Sequence, residues 1–150
     1  MGEAVTVRAA RAEDLAAVRQ LLANANLPID GLEDQFGDRY AVAETQGQII
    51  AAEGVEVYDR WGLLRSAVVA PAHRVTGLGM RLTEERIGWA RKQRLEALYL
   101  LTTTAAPFFG RLGFVEVARA SAPAAVQTSR EFATACPAGA TCMRLPLAGA

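Results

Sequence analysis

The sequence predicts a mixed α/β fold of the α+β kind in three layers. A central mixed sheet of six to seven strands should carry helices on both faces. Three observations predict it. Runs of β-formers broken by turn pairs alternate with runs of helical periodicity. Hydrophobic residues make up 51% of the 150 residues, enough for a proper core and too many for a disordered chain. One apolar run, "LEALYLLTTT", is nearly continuous, as in a strand covered on both faces. The length suits one domain, residues 1–150.

The elements follow in order. "VTVRAA" alternates as a first strand. In "RAEDLAAVRQLLANA", Leu15, Val18, Leu22 and Ala25 recur at the spacing of an amphipathic helix, and Glu13 and Asp14 suit its positive N-terminal end. Residues 26–38 contain Pro, Gly and acids and predict a loop with one short helical turn. Residues 39–45, 48–58 and 61–69 predict an antiparallel meander, broken at Gln46-Gly47 and Asp59-Arg60.

A helix should run from about residue 77 to about 94, with Arg81, Glu84, Glu85, Gly88, Arg91 and Lys92 in one arc of about 120°. "LEALYLLTTT" then reads as an inner parallel strand. "AAPFFGRLGF" reads as a short helix capped near Gly113, and "FVEVARA" as a strand. A polar segment holding a short helix leads to the closing strand "TCMRLPL".

Net charge is zero and the pI is about 6.6, so no basic surface argues for nucleic acid or an anionic membrane. No apolar run approaches the roughly 18 residues of a membrane span, and the N-terminus shows no signal core. A cytoplasmic protein is expected. Cys136 and Cys142 lie six apart without a neighbouring histidine, a poor ligand set, so no metal is expected and the thiols read as small hydrophobes.

The chemistry-bearing stretch is "VVAPAHRVTGLGMRL", residues 68–82. Arg74-x-x-Gly77-x-Gly79 stands where a strand hands over to a helix. Helix N-terminal amides have no intrahelical partner and the macrodipole favours negative charge, so the turn suits an anion; Arg74 can add charge-assisted bonds. Neither a Walker loop nor a dinucleotide fingerprint fits this spacing.

With "FFGRLGF" downstream, the stretch resembles the acyl-CoA core of the GNAT superfamily of N-acetyltransferases. Arg74, Gly77 and Gly79 match that family's pyrophosphate loop, and the likeness runs from Val5 to Leu147. It implies a sheet splayed at the cofactor site. Ala67, Val68 and Val69 would face the pantetheine arm of acetyl-CoA. Thr76, Gly77, Leu78, Gly79 and Met80 would give amides to the pyrophosphate, and Thr104 would replace a frequent asparagine.

Two family features are missing. The tyrosine that would protonate the thiolate is Phe109, and the usual fourth-strand glutamate is Leu63. Glu56 is the leading base candidate and Glu53 the second; Tyr58, Tyr99 and His73 are weaker acid–base candidates. Arg65 with Ser66, Arg39 and Arg130 are candidates for binding an acidic head group. "GLLRS" and "SREFATACPAGATCM" resemble short bacterial amino-acid and arsenic-resistance-associated N-acetyltransferases. This implies a small-molecule amine acceptor, either an amino acid or an amino-acid-like toxin. An acyl-CoA-binding sensor without turnover is the alternative, and the apolar closing strand would permit a homodimer.

Overall fold

The computed structural model describes residues 4–74, 76–135 and 139–147. Seven strands form one sheet in the order β1-β2-β3-β4-β5-β7-β6. They are β1 (Thr6–Ala9), β2 (Tyr40–Thr45), β3 (Gln48–Tyr58), β4 (Trp61–Val69), β5 (Ala97–Thr102), β6 (Val115–Val117) and β7 (Thr141–Pro146). The helices are α1 (Leu15–Asn24), α2 (Leu78–Lys92), α3 (Ala106–Gly110) and α4 (Ala124–Gln127), with a π-helical turn at Glu131–Ala135. The fold class is as the sequence predicts.

The meander matches its expected bounds because its turns are strongly encoded. Gln46 (φ +51°) and Gly47 (φ +74°) both take left-handed backbone, the conformation of a tight hairpin turn that matches strand twist. Alternation then sorts β3 into two faces. Ala51 packs with Leu78 and Leu82 of α2, whereas Ala52 packs with Val18 and Leu22 of α1. On the α2 side the core continues through Leu64, Leu98, Leu100 and Phe109. On the α1 side it continues through Leu63, Tyr99, Val126 and Phe132.

One element is shorter than expected, and the closing strand takes an inner place. The strand read in "FVEVARA" is only three residues long, because the chain turns into a 3-10 turn at Arg119–Ser121. The closing strand β7 lies inside the sheet, antiparallel to both β5 and β6, and not at an edge. Its apolar residues Cys142, Met143 and Leu145 are therefore consumed in the core. Cys136 falls outside the described residues; Cys142 is a buried thiol.

One glycine is fixed by close approach. A Cβ on Gly54 would lie 2.3 Å from the Tyr40 ring. Gly54→Ala is expected to cost about 1–3 kcal/mol by overpacking, measured by chemical denaturation.

Candidate active site

β4 and β5 run parallel but pair only at Trp61↔Ala97, Gly62↔Leu98 and Leu63↔Tyr99. Beyond Leu63 the two strands part, and backbone groups along those edges lose their ladder. A bulge lies on the other side of β4. Ala52 faces Val68 and Gly54 faces Arg65, so Ser66 and Ala67 together oppose Glu53. Ser66 takes φ +61°, an uncommon left-handed conformation for a residue with a side chain.

A cavity of about 700 Å³ occupies the parting. Ala67, Val68 and Val69 form its β4 wall, and Thr102, Thr103 and Thr104 line the end of β5. It reaches both faces of the sheet. Gly79, Thr83 and Phe108 line it on the α2–α3 side; Asn26, Pro28 and Glu131 line it on the α1 side.

The start of α2 borders this cavity. Gly77 is the N-cap with φ +81°, which favours glycine, and the first intrahelical bond runs from the Arg81 N–H to Gly77 O at 3.0 Å. The amides of Leu78, Gly79 and Met80 therefore precede the helical ladder. A Cβ on Gly79 would meet nothing closer than Val69 Cγ2 at 3.9 Å. The fold itself thus leaves room for a side chain at 79; glycine keeps the cavity wall bare. Arg74 is exposed and donates from Nε to Val69 O at 3.1 Å. Thr76 donates to the His73 carbonyl at 2.7 Å, closing the turn before the helix.

A buried polar cluster sits on the α1 side. Glu56 Oε2 accepts from the Tyr40 hydroxyl at 2.9 Å and from Arg65 Nη1 at 3.3 Å, and Oε1 accepts from the Tyr58 hydroxyl at 2.8 Å. Burial first, and then the Glu56 charge, push the Tyr40 phenol far up. Burial and the bond to Glu56 do the same for Tyr58, so both stay O–H donors. Arg65 also donates to Ser66 Oγ and to the carbonyls of Asp30 and Pro28, and its Nε lies 4.0 Å from Glu131 Oε2. The arginine thereby ties the loop after α1, strand β3 and the C-terminal segment to one point.

The predicted residues are distributed unevenly. Arg65, Ser66, Ala67, Val68, Val69, Gly79, Thr104 and the second base candidate Glu53 line the cavity. Thr76, Gly77, Leu78 and Met80 flank it at the helix start. Glu56 stands behind Arg65, outside the cavity lining, with both oxygens engaged. Arg39 is also outside the lining and donates to Gln35 Oε1 at 2.8 Å; Arg130 pairs with Asp34 at 3.0 Å. Tyr99 is core, with its hydroxyl accepting from Arg144. Phe109 is buried in edge-to-face contact with Phe108 and Phe114, and Leu63 is fully buried. Glu131, Thr83 and Asn26 join the wall without having been singled out in the sequence. A lone acid inside the otherwise apolar and small "EFATA" was the available signal for Glu131.

Among the described residues no helix is long and apolar enough to cross a membrane, and no three His, Cys, Asp or Glu side chains gather as a metal site.

Residues 36–116 match the family description "Acetyltransferase (GNAT) domain". Solved structures share the fold. Rv2747 from Mycobacterium tuberculosis, in complex with CoA, superposes with a TM-score of 0.80 at 23% identity, over 95% of this chain and 99% of that one. N-acetylglutamate synthase from Neisseria gonorrhoeae, complexed with coenzyme A and L-arginine, gives 0.80 at 18% identity, over 98% of this chain but only 34% of that one. The ribosomal-protein-S18-alanine N-acetyltransferase from Escherichia coli gives 0.73 at 21% identity, over 98% and 96%. With more than half its length matched by the family and the split sheet, glycine turn and cavity in place, the chain belongs to the GNAT acetyltransferases, enzymes that use acetyl-CoA as co-substrate.

Proposed function

We propose that the protein transfers the acetyl group of acetyl-CoA directly to the amine of a small amino acid or amino-acid-like toxin. The supporting observation is the cavity itself. It runs from the glycine-bared start of α2 through the β4–β5 parting to a polar end at Arg65 and Glu131. In this reading the pyrophosphate takes the amides of Thr76 to Met80 with Arg74, and the pantetheine arm pairs with Ala67 to Val69 and passes Thr104. The amine attacks the thioester carbonyl, the C–S bond breaks, and CoA leaves as the thiol. Positioning two reactants in one cavity supplies much of the rate such a transfer needs.

The acceptor enters beside Asn26, Pro28, Arg65, Ser66 and Glu131, and acts in the cytoplasm. Arg65 contributes one face of its guanidinium, its other donors being engaged. Glu56 serves as a positioning residue: it holds Arg65 and the two tyrosines, and it is too enclosed to take the proton itself. Arg39, bonded to Gln35 outside the lining, has no part in this reading.

Thiol release from acetyl-CoA over a panel of amino acids, including glutamate and its phosphinic and arsinic analogues, tests the reading. Release matched by N-acetylated product by mass is expected for at least one amine. Tight CoA binding with no turnover on any amine would instead favour the sensor, which the apolar Phe109 and Leu63 make the specific second reading.

Gly79→Glu is expected to fold normally yet weaken acetyl-CoA binding on the order of 100-fold, about 2.7 kcal/mol, by calorimetric titration. Retained affinity would remove the loop from the cofactor site.

A further inference from the structure

Three ionisable side chains line the cavity among the described residues: Arg65, Glu131 and Glu53. Glu53 stands apart from the other two. They meet on the α1 face, whereas Glu53 points to the α2 face, opposite the bulge at Ser66 and Ala67. It is 1% exposed, and it makes no ion pair among the described residues. Its Oε1 lies 2.8 Å from Thr83 Oγ1, and its buried Oε2 has no hydrogen-bond partner among the described residues. Thr83 Oγ1 also lies 2.9 Å from the carbonyl of Gly79, the residue that bares the cavity wall.

The charges around Glu53 do little to stabilise a carboxylate. From α2, the Arg86 charge favours the carboxylate somewhat more than Glu85 opposes it, but Glu85 holds the arginine's Nε and Nη2 and the Asp38 carbonyl takes Nη1 at 3.0 Å. Glu85 itself adds repulsion. On the neighbouring strands, Ala41 of β2 and the Ser66–Ala67 bulge of β4 bring no cation to that face; Arg65 turns to the other. An ionised Glu53 would put an uncompensated charge in the wall of a channel built for a polyanion. The carboxylic acid form instead completes a chain of bonds. Its Oε1–H donates to Thr83 Oγ1, and Thr83 donates to Gly79 O, as helix threonines do to the carbonyl one turn back.

Resting on the reading of the cavity as the acetyl-CoA channel, we propose that Glu53 is a cofactor-positioning residue. It must carry its proton when acetyl-CoA is bound, with Oε1–H held by Thr83, so that the wall beside the pantetheine arm stays uncharged. Acetyl-CoA binding is then switched off when Glu53 ionises. Burial pushes its carboxyl up to about 8, so the switch falls just above neutrality. No covalent step is involved; above that pKa one proton leaves the protein as the cofactor leaves.

The test is acetyl-CoA affinity against pH, with the unmodified full chain and Glu53→Gln. Acetyl-CoA has no free thiol to titrate. For the wild type, Kd should stay level near neutrality and rise by up to about tenfold per pH unit above the carboxyl's pKa. Glu53→Gln keeps an acceptor oxygen and cannot ionise; its Kd should lie within about threefold of the wild type at neutral pH and stay level as pH rises. Thr83→Val, which removes the hydroxyl that holds Oε1, should keep a pH-dependent rise while starting from weaker binding. A wild-type Kd that stays level, or a rise that persists in Glu53→Gln, overturns the proposal. Absence of acetyl-CoA binding at every pH overturns the cofactor reading itself and this proposal with it.

Discussion

Arg65→Leu is expected to destabilise the fold by about 3–5 kcal/mol, the cost of leaving a buried carboxylate without its partner. The guanidinium and the Glu56 carboxylate are 1% and 2% exposed, and one arginine serves Glu56, Glu131, Ser66 and two loop carbonyls. Its removal takes a cation away from two acids at once. Chemical denaturation measures the loss. Because the damage is an uncompensated charge, Arg65→Leu combined with Glu56→Gln should be more stable than Arg65→Leu alone. If the double variant is the less stable, the cluster is held by packing and hydrogen bonds, and the ion pair is incidental. The result also bears on function, since an arginine this committed can offer a substrate little more than one N–H.

Glu53→Gln is expected to change the pH dependence of stability, and in the stabilising direction at pH 8. In the unfolded chain the carboxyl titrates near 4.5; burial raises it to about 8 in the folded chain. Between these values the folded state holds a proton that the unfolded state has released. Stability from this group is therefore fully present below about 4.5 and is lost as pH rises to about 8. The slope is about 1.4 kcal/mol per pH unit, which sums to several kcal/mol over that window. The variant lacks this loss. The difference between variant and wild type should grow from about pH 5 to about pH 8 and then level off. A constant difference over that range would mean that Glu53 is ionised throughout.

The two acids illustrate what the sequence could and could not reveal. Residues 53 and 56 are three apart on one strand, so alternation alone puts them on opposite faces. What alternation does not tell is which face meets the cavity, or that Glu56 is screened by Arg65. That depends on β4 pairing with β3 through a bulge at Ser66, and nothing in "LLRSAVV" announces a left-handed serine. The hairpins were legible because Gln46-Gly47 is a local turn signal. The glycine turn was legible for the same reason: Gly77 meets a local backbone demand. The slot of β7 between β5 and β6 was not, since it pairs residues 25 to 49 apart and periodicity carries no information about partners. Glu131 and Asn26 reach the cavity from opposite ends of the chain for the same non-local reason.

The central claim is that the parting between β4 and β5 is the acetyl-CoA channel, with its anionic end at the start of α2. Amide hydrogen exchange with and without saturating acetyl-CoA addresses it directly. Slowed exchange is predicted in residues 66–69, 77–80 and 101–104, with little change in β1 and β6 at the sheet edges. Slowed exchange confined to other segments, or none at a concentration where binding is saturated, would contradict it.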